Sequence, residues 1–339
     1  MSIRPITTFR NERGGALLIV LWLAAALAAI AFSVATSVRA ETDRVASSAD
    51  GLRAWYLATG SVERAIQWMM WGQEVTNSSG SPFWQMNVPR LYMSYPSGNA
   101  IVEVIPESSK LSINQASPDD LTRLITVVSG DPARAAEIAA AIIDWRTPSP
   151  GATSFDQYYL SLGPTFRARH ASFQEIEELL SVQGMTPELY YGNYIPDSAG
   201  RLYATGGLRD ALSVWGSTTG PFDINTVSPA LMEAIGIPPA SVSAILERRQ
   251  AQPFKSTSDL AAMGISAPRL GVGGISIWTL RASARLNRPD GGPSEFVRIA
   301  SATVTLLNRQ QYYSMPVQVL RWYDDAWSQS AVVPGVAVP

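Results

Sequence analysis

Few side chains in this sequence could do covalent or metal chemistry. Cysteine is absent, so there is no thiolate nucleophile, no thiolate zinc site and no disulfide. His170 is the only histidine, which excludes a His-pair metal site. It sits in Arg167-Ala-Arg-His170 with no serine motif beside it, and a lone histidine among arginines reads as a surface residue. Lys110 and Lys255 are the only lysines and neither follows a glycine-rich loop, which excludes a P-loop nucleotide site. Glu175, Glu177 and Glu178 accompany Ile176, Leu179 and Leu180 and read as the solvated face of a helix. Neither G-x-S-x-G nor H-E-x-x-H occurs. The residue types thus predict a protein that is not an enzyme, with no certain cofactor.

The elements that must position these residues begin with the composition. Of 339 residues 46% are hydrophobic and 16% charged, with 26 basic against 28 acidic side chains. That is enough apolar chain for more than one small domain, and too even a charge for a disordered tail or a generally basic nucleic-acid binder. From Gly14 to Val38 there are 25 residues without a charge, which as a helix would span about 37 Å, enough to cross a bilayer. Arg4, Arg10 and Arg13 precede this run against one acid, Glu12, and by the positive-inside rule they keep that end in the cytoplasm. Leu52, Trp55, Val62, Ile66 and Met69 then continue a helical spacing. Gly15 to Trp71 reads as one element, on the order of 85 Å long.

The order of features is basic leader, Gly14-Gly15, then Ala16-Leu17-Leu18-Ile19-Val20-Leu21-Trp22. A type IV prepilin leader has this order, with the cut placed before the apolar helix. An uncleaved signal anchor, or a secretory signal cut after Ser37-Val38-Arg39-Ala40, are the alternatives.

Beyond the helix, Ala100 to Ile105 reads as a strand, and Ile277 to Leu286 alternates Trp278, Leu280, Ala282, Ala284 and Leu286 with mostly polar neighbours. Phe296 to Leu306 and Tyr312 to Tyr323 are two further strands. A long helix with a small antiparallel sheet outlines a pilin-like α+β fold, and the gap after the first strand requires a large inserted α-helical domain. That insert carries a repeat: Leu111-Ser-Ile-Asn-Gln-Ala-Ser-Pro matches Phe222-Asp-Ile-Asn-Thr-Val-Ser-Pro, which pairs Asn114 with Asn225 and Ser117 with Ser228 as repeat caps. Ser-Pro is an N-cap followed by a first-turn proline, so each copy opens a helix. A second apolar helix follows in each, giving two related helical hairpins near 111–147 and 222–265.

The second copy resembles a helix-hairpin-helix motif, which holds DNA phosphates on free backbone N–H groups. Pro238 removes one such donor, and acids outnumber bases in the first copy. A helical packing unit with no nucleic acid is therefore the expectation. A membrane-anchored DNA receptor of the competence type is the alternative.

Taken in order, Arg13-Gly14-Gly15-Ala16-Leu17-Leu18, the two Asn-x-x-Ser-Pro repeats, Ile143-Asp144-Trp145, Tyr158-Tyr159 and Glu175-Ile-Glu-Glu-Leu179 through Gly184-Met185 resemble the K-type minor pseudopilins of bacterial type II secretion. The resemblance implies a protein at the pseudopilus tip that initiates or caps assembly for export. Its partners would be other minor pseudopilins, the prepilin peptidase and the inner-membrane secretion platform. It further implies cleavage after Gly14, methylation at Gly15, and a single-pass inner-membrane anchor with the rest in the periplasm. The expected division is a leader (1–14), a membrane part bearing Ile19, Leu21 and Trp22 (15–38), a periplasmic helix (39–72), a head (73–107 and 272–325), the insert (108–271) and a tail (326–339). Leu52, Trp55, Val62 and Ile66 are the expected assembly face. Ile19 stands where major pseudopilins carry a glutamate, so no partner for a buried carboxylate is required. Calcium is also implied by the family, yet Arg146 to Asp156 holds a single carboxylate after Trp145, and sequence does not decide whether Asp290 or Glu295 converge with others.

Overall fold

A computed structural model describes residues 13–72, 75–196, 200, 202–274, 276–288, 291–306 and 317–324. Helix α1 (Arg13–Trp71) contains no proline, and Gly72 ends it in the left-handed region at φ 57°, its N–H returning to the Trp68 carbonyl at 3.2 Å. Residues 1–53 and 54–339 form two units. In the first, the side chains from Leu17 to Val38 are exposed, and the helix is long and apolar enough to cross a membrane. One such N-terminal helix fits a single-pass anchor. The leader before Arg13 and the tail after Asp324 lie outside the described residues, as do Tyr312 to Pro316 of the last expected strand.

The second unit continues from the end of α1 through β1 (Arg90–Tyr95) and β2 (Gly98–Pro106). Next come β3 (Leu111–Ser112), α2 (Pro118–Ser129), α3 (Pro132–Arg146), α4 (Asp156–Leu162), a 3-10 turn at Ile176–Ser181 and α5 (Pro187–Tyr191). Then follow β4 (Tyr194–Pro196), β5 (Leu202–Ala204), α6 (Leu208–Ala211), β6 (Leu212–Ser213), β7 (Phe222–Asp223), α7 (Pro229–Ala234), α8 (Pro239–Ala251), α9 (Ser258–Ala262) and β8 (Leu270–Gly271). The chain closes with β9 (Ile277–Asn287), β10 (Pro293–Leu306) and β11 (Val317–Tyr323).

The main sheet has the order β1-β2-β9-β10-β11 and every pairing is antiparallel. β9 presents Trp278, Leu280, Ala282, Ala284 and Leu286 inward, as its alternation predicts. Trp278, Leu280, Ala282 and Ala284 pack with Ala100, Val102 and Val104 of β2 and Ala300, Ala302 and Val304 of β10. The α1 residues against them are Ala58, Val62, Ala65, Trp68 and Met69, and the alanines on both surfaces bring helix and sheet close together. β1 was not expected, although Leu91 and Met93 alternate inward between exposed neighbours. Its hairpin to β2 turns at Pro96 and Ser97, and at Gly98, the first residue of β2, a Cβ would fall 2.2 Å from the Arg285 carbonyl oxygen.

The chain leaves the sheet at Pro106 and re-enters at Ile277, and Pro106 lies opposite Trp278. The excursion therefore separates two strands that remain neighbours. It has its own buried core, from Leu111 to Leu270. At the junction Glu107, 3% exposed, accepts from Lys110 Nζ at 2.8 Å, from Thr279 Oγ1 at 2.7 Å and from Ser213 Oγ. Thr279 also meets Thr303 of β10 at 2.9 Å. Burial pushes the Glu107 carboxyl up, but Lys110 and the two hydroxyl bonds outweigh it and hold the group below its ordinary value.

Glu107→Ala should therefore cost about 3–5 kcal/mol in denaturant unfolding, because it strands Lys110 beside a dry junction. Glu107→Gln should cost less. Since the folded pKa lies below the unfolded one, the Glu107 contribution is present at neutral pH and is lost as pH falls through the folded value, so the variant should lack that part of the acid sensitivity.

Candidate functional site

The sequence repeat becomes a repeated hydrogen-bond scaffold. Ser117 Oγ accepts the Asp120 N–H at 3.1 Å and Ser228 Oγ the Leu231 N–H at 3.3 Å, so both serines cap their helices. The asparagines do something other than cap. Asn114 donates to the Phe173 carbonyl at 3.0 Å and accepts the Phe173 N–H at 2.7 Å. Asn225 makes the same pair of bonds to Phe254, at 3.0 and 2.7 Å. Each amide thus stands in for one rung of a strand ladder and ties the repeat's opening to a segment distant in sequence.

Two further members of the scaffold were not foreseen. Arg146 donates to the carbonyls of Ile113 and Ala116, both at 2.6 Å, and Arg249 to those of Ile224 and Val227 at 3.1 and 2.8 Å. Glu178 accepts the N–H groups of Gln174 and Glu175 at 2.8 and 3.1 Å, and Asp259 those of Lys255 and Ser256 at 2.9 and 3.4 Å. A sequence signal existed: Phe173 and Glu178 have the same spacing as Phe254 and Asp259. The copies meet where Arg269 pairs with Asp120 at 2.9 Å.

The reading of Glu175, Glu177 and Glu178 as a solvated helical face is corrected on two points. The segment is 3-10, and Glu178 is spent inside it, also pairing Arg169 at 2.7 Å. Burial pushes the Glu178 carboxyl up, but the Gln174 and Glu175 N–H groups and Arg169 pull it below its ordinary value. The assembly face is corrected as well. Val62 is fully buried against the head's own sheet and Ile66 packs at the edge of that core, because the face that docks carries Ala54, Ala58 and Ala65, whose small side chains were passed over in favour of larger ones. Trp55 donates to the Asp324 carbonyl at 3.0 Å at the end of β11. Leu52, in the first unit, is 55% exposed and stays available. Ile19, Leu21 and Trp22 are also exposed in that unit, and Gly14 and Gly15 lie in the opening turn of α1.

Both hairpin turns spend most of their donors internally, and the N–H groups of Ala240 and Ser241 at the uncapped start of α8 are the ones left over. The N–H groups of Gly236 and Ile237 go to the carbonyls of Glu233 and Met232 at 2.9 and 3.1 Å, and Pro238 and Pro239 have none. In the first copy Asp131 occupies the start of α3, accepting from Ala133 and Arg134 at 3.0 and 3.1 Å where a phosphate would sit. No group of three or more acidic or histidine side chains is arranged to hold a metal among the described residues. Asp290 and the Glu295 side chain lie outside them. Asp144 and Asp156 have the His170 ring between them. That ring is partly buried, which corrects its reading as a surface residue.

Asn225 is nearly buried whereas Asn114 is partly exposed, so Asn225→Ala should lower the unfolding free energy by about 1–3 kcal/mol and Asn114→Ala by less, each read from the denaturant midpoint.

No curated protein sequence matches the chain significantly. Residues 87–192 match the family model for the type II secretion system protein K, first domain. Among solved structures, the fold matches a chain of the GspK-GspI-GspJ complex from the type 2 secretion system of enterotoxigenic Escherichia coli, with a TM-score of 0.51 and 18% identity over 84% of this chain and 100% of that one. Residues 87–192 are thus similar to the type II secretion system protein K family, and the chain that carries them shares its fold with the matched chain of that complex.

Proposed function

We propose that this chain is a structural subunit at the tip of the type II secretion pseudopilus, where it initiates or caps assembly. The observation that carries this reading is the excursion between Pro106 and Ile277, which adds a domain-sized body while the strands on either side stay paired. A filament built on N-terminal helices packs its heads side by side. A body of this size repeated at every level would collide with its neighbours, and at the distal end it meets none.

Residues 15–38 anchor the chain in the inner membrane and the second unit works in the periplasm. Ile19 supports an end position, since it brings no carboxylate that needs a subunit ahead of it. The partners are other minor pseudopilins, as the matched chain comes from a complex with two further proteins, GspI and GspJ. The prepilin peptidase cuts after Gly14 and methylates Gly15, and the inner-membrane platform receives the product.

Two expected outcomes test this. Mass spectrometry of the cellular protein should find an N-methylated chain beginning at Gly15, and Gly14→Leu should retain the leader; a wild-type terminus at Met1 or near Ala40 would defeat the processing assignment. Leu52→Asp should weaken association with the companion pseudopilins by at least about 2 kcal/mol and stop secretion, with the protein still in the membrane. Normal secretion by that variant rules out Leu52 as an interface residue, while cross-links placing the wild-type chain along the whole filament rule out the tip.

A further inference from the structure

The two repeats differ most in the chain that follows the arginine. Arg249 and Phe254 are five residues apart, whereas Arg146 and Phe173 are 27 apart. The additional chain carries α4 and needs anchors that the second repeat lacks. Its apolar anchor is Tyr159, fully buried, whose ring lies edge-on to Trp145 at 5.3 Å and to Phe166 at 5.8 Å.

Its polar anchor is His170. Nε2 faces Asp156 Oδ1 at 3.2 Å, and Nδ1 faces the Asp144 carbonyl at 3.2 Å with Asp144 Oδ2 at 4.0 Å. Asp144 Oδ2 is buried and has no hydrogen bond. The His170 backbone is left-handed, φ 47°, a conformation that non-glycine residues adopt only when their surroundings hold them there.

Both ring nitrogens therefore face acceptors. A carbonyl oxygen only accepts, and the Asp156 carboxylate takes the Thr153 N–H on its other oxygen at 2.8 Å. A neutral imidazole has one N–H and would turn a lone pair toward one of these partners; the imidazolium donates to both. The surrounding groups agree with this state. Asp144 lies in the last turn of α3, whose terminal carbonyls favour a cation, and Asp156 opens α4. Arg167 acts on Asp156 from the connecting loop, and the Tyr159 hydroxyl is occupied by the Gln183 N–H at 3.3 Å. Burial favours neutral His170, but the bond to Asp156, the Asp144 carbonyl and the two carboxylate charges outweigh it and raise its pKa. The bond from Thr153 leads in holding Asp156 below its ordinary value.

We propose that His170 is the built-in cation of this loop: the imidazolium fills the space between Asp144 and Asp156, so that residues 147–169 are closed by protein charge and need no bound calcium. The stabilisation is complete below the ordinary histidine pKa and is lost as pH rises through the raised one.

The chain has a single histidine, so its two ring nitrogens can be read alone by nitrogen NMR on the intact, 15N-histidine-labelled protein in detergent micelles. Both should be protonated at neutral pH and titrate above the ordinary value, and neither should move with millimolar calcium. The thermal midpoint should fall by about 2–4 °C between about pH 6 and pH 8.5, equally with calcium or chelator, and His170→Gln should lack that fall. A neutral ring at neutral pH, a calcium-dependent rise in the midpoint, or an unchanged pH dependence in His170→Gln would each overturn the proposal. Should His170→Gln not fold, the wild-type ring signals and the calcium response still decide it.

Discussion

Two strands paired in an antiparallel sheet are held by bonds that an insertion between them cannot be allowed to stretch, so an inserted body must leave and return at the same place. Pro106 and Trp278 lie opposite each other and meet this condition. Glu107, the next residue, is buried where the head sheet, the start of the first repeat and β6 converge, and its carboxylate takes a bond from each side. A charge removed from water is tolerated only with such partners. The same interaction that neutralises Glu107 therefore ties the insert to the head, and the rest of the insert is built outward from it.

Within the insert, the recurring problem is the supply of donors and acceptors to irregular backbone. Both repeats solve it with an asparagine that mimics a peptide group, an arginine that serves two buried carbonyls, and a carboxylate that collects two N–H groups. Hairpin units that spend most of their turn donors internally hold themselves together and have few left for a phosphate. This is the chemistry of a body held together by its own backbone partners. The first copy departs from the second most where residues 147–169 are added, and there a histidine and two aspartates supply what the shared scaffold does not.

Much of this was legible in the residues. The uncharged run from Gly14 to Val38, the alternation in β9 and the Asn-x-x-Ser-Pro repeats are local patterns with a period or spacing that only one kind of element satisfies. β1 is also periodic, yet Leu91 and Met93 are two signals in a short segment among loops, too few to separate from chance. The docking face of α1 was misread because hydrophobic spacing favours large side chains, while a helix lying close to a sheet selects alanine. Glu178 looks like a solvated charge in sequence because spacing does not show its carboxylate folding back onto the Gln174 and Glu175 N–H groups, and His170 does because Asp144 and Asp156 reach it from across a long loop.

The sequence by itself determined the membrane-length helix, the pilin-like α+β class, the interruption of the sheet and the duplication inside it, because each is written in hydrophobic period or in self-similarity along the chain. Tertiary structure alone decided which face of α1 is spent on the head, what the repeated asparagines bind, and why a single histidine sits between two aspartates. Those facts depend on contacts between residues far apart in sequence, and no local spacing records the burial that gives a charge or an amide its partner.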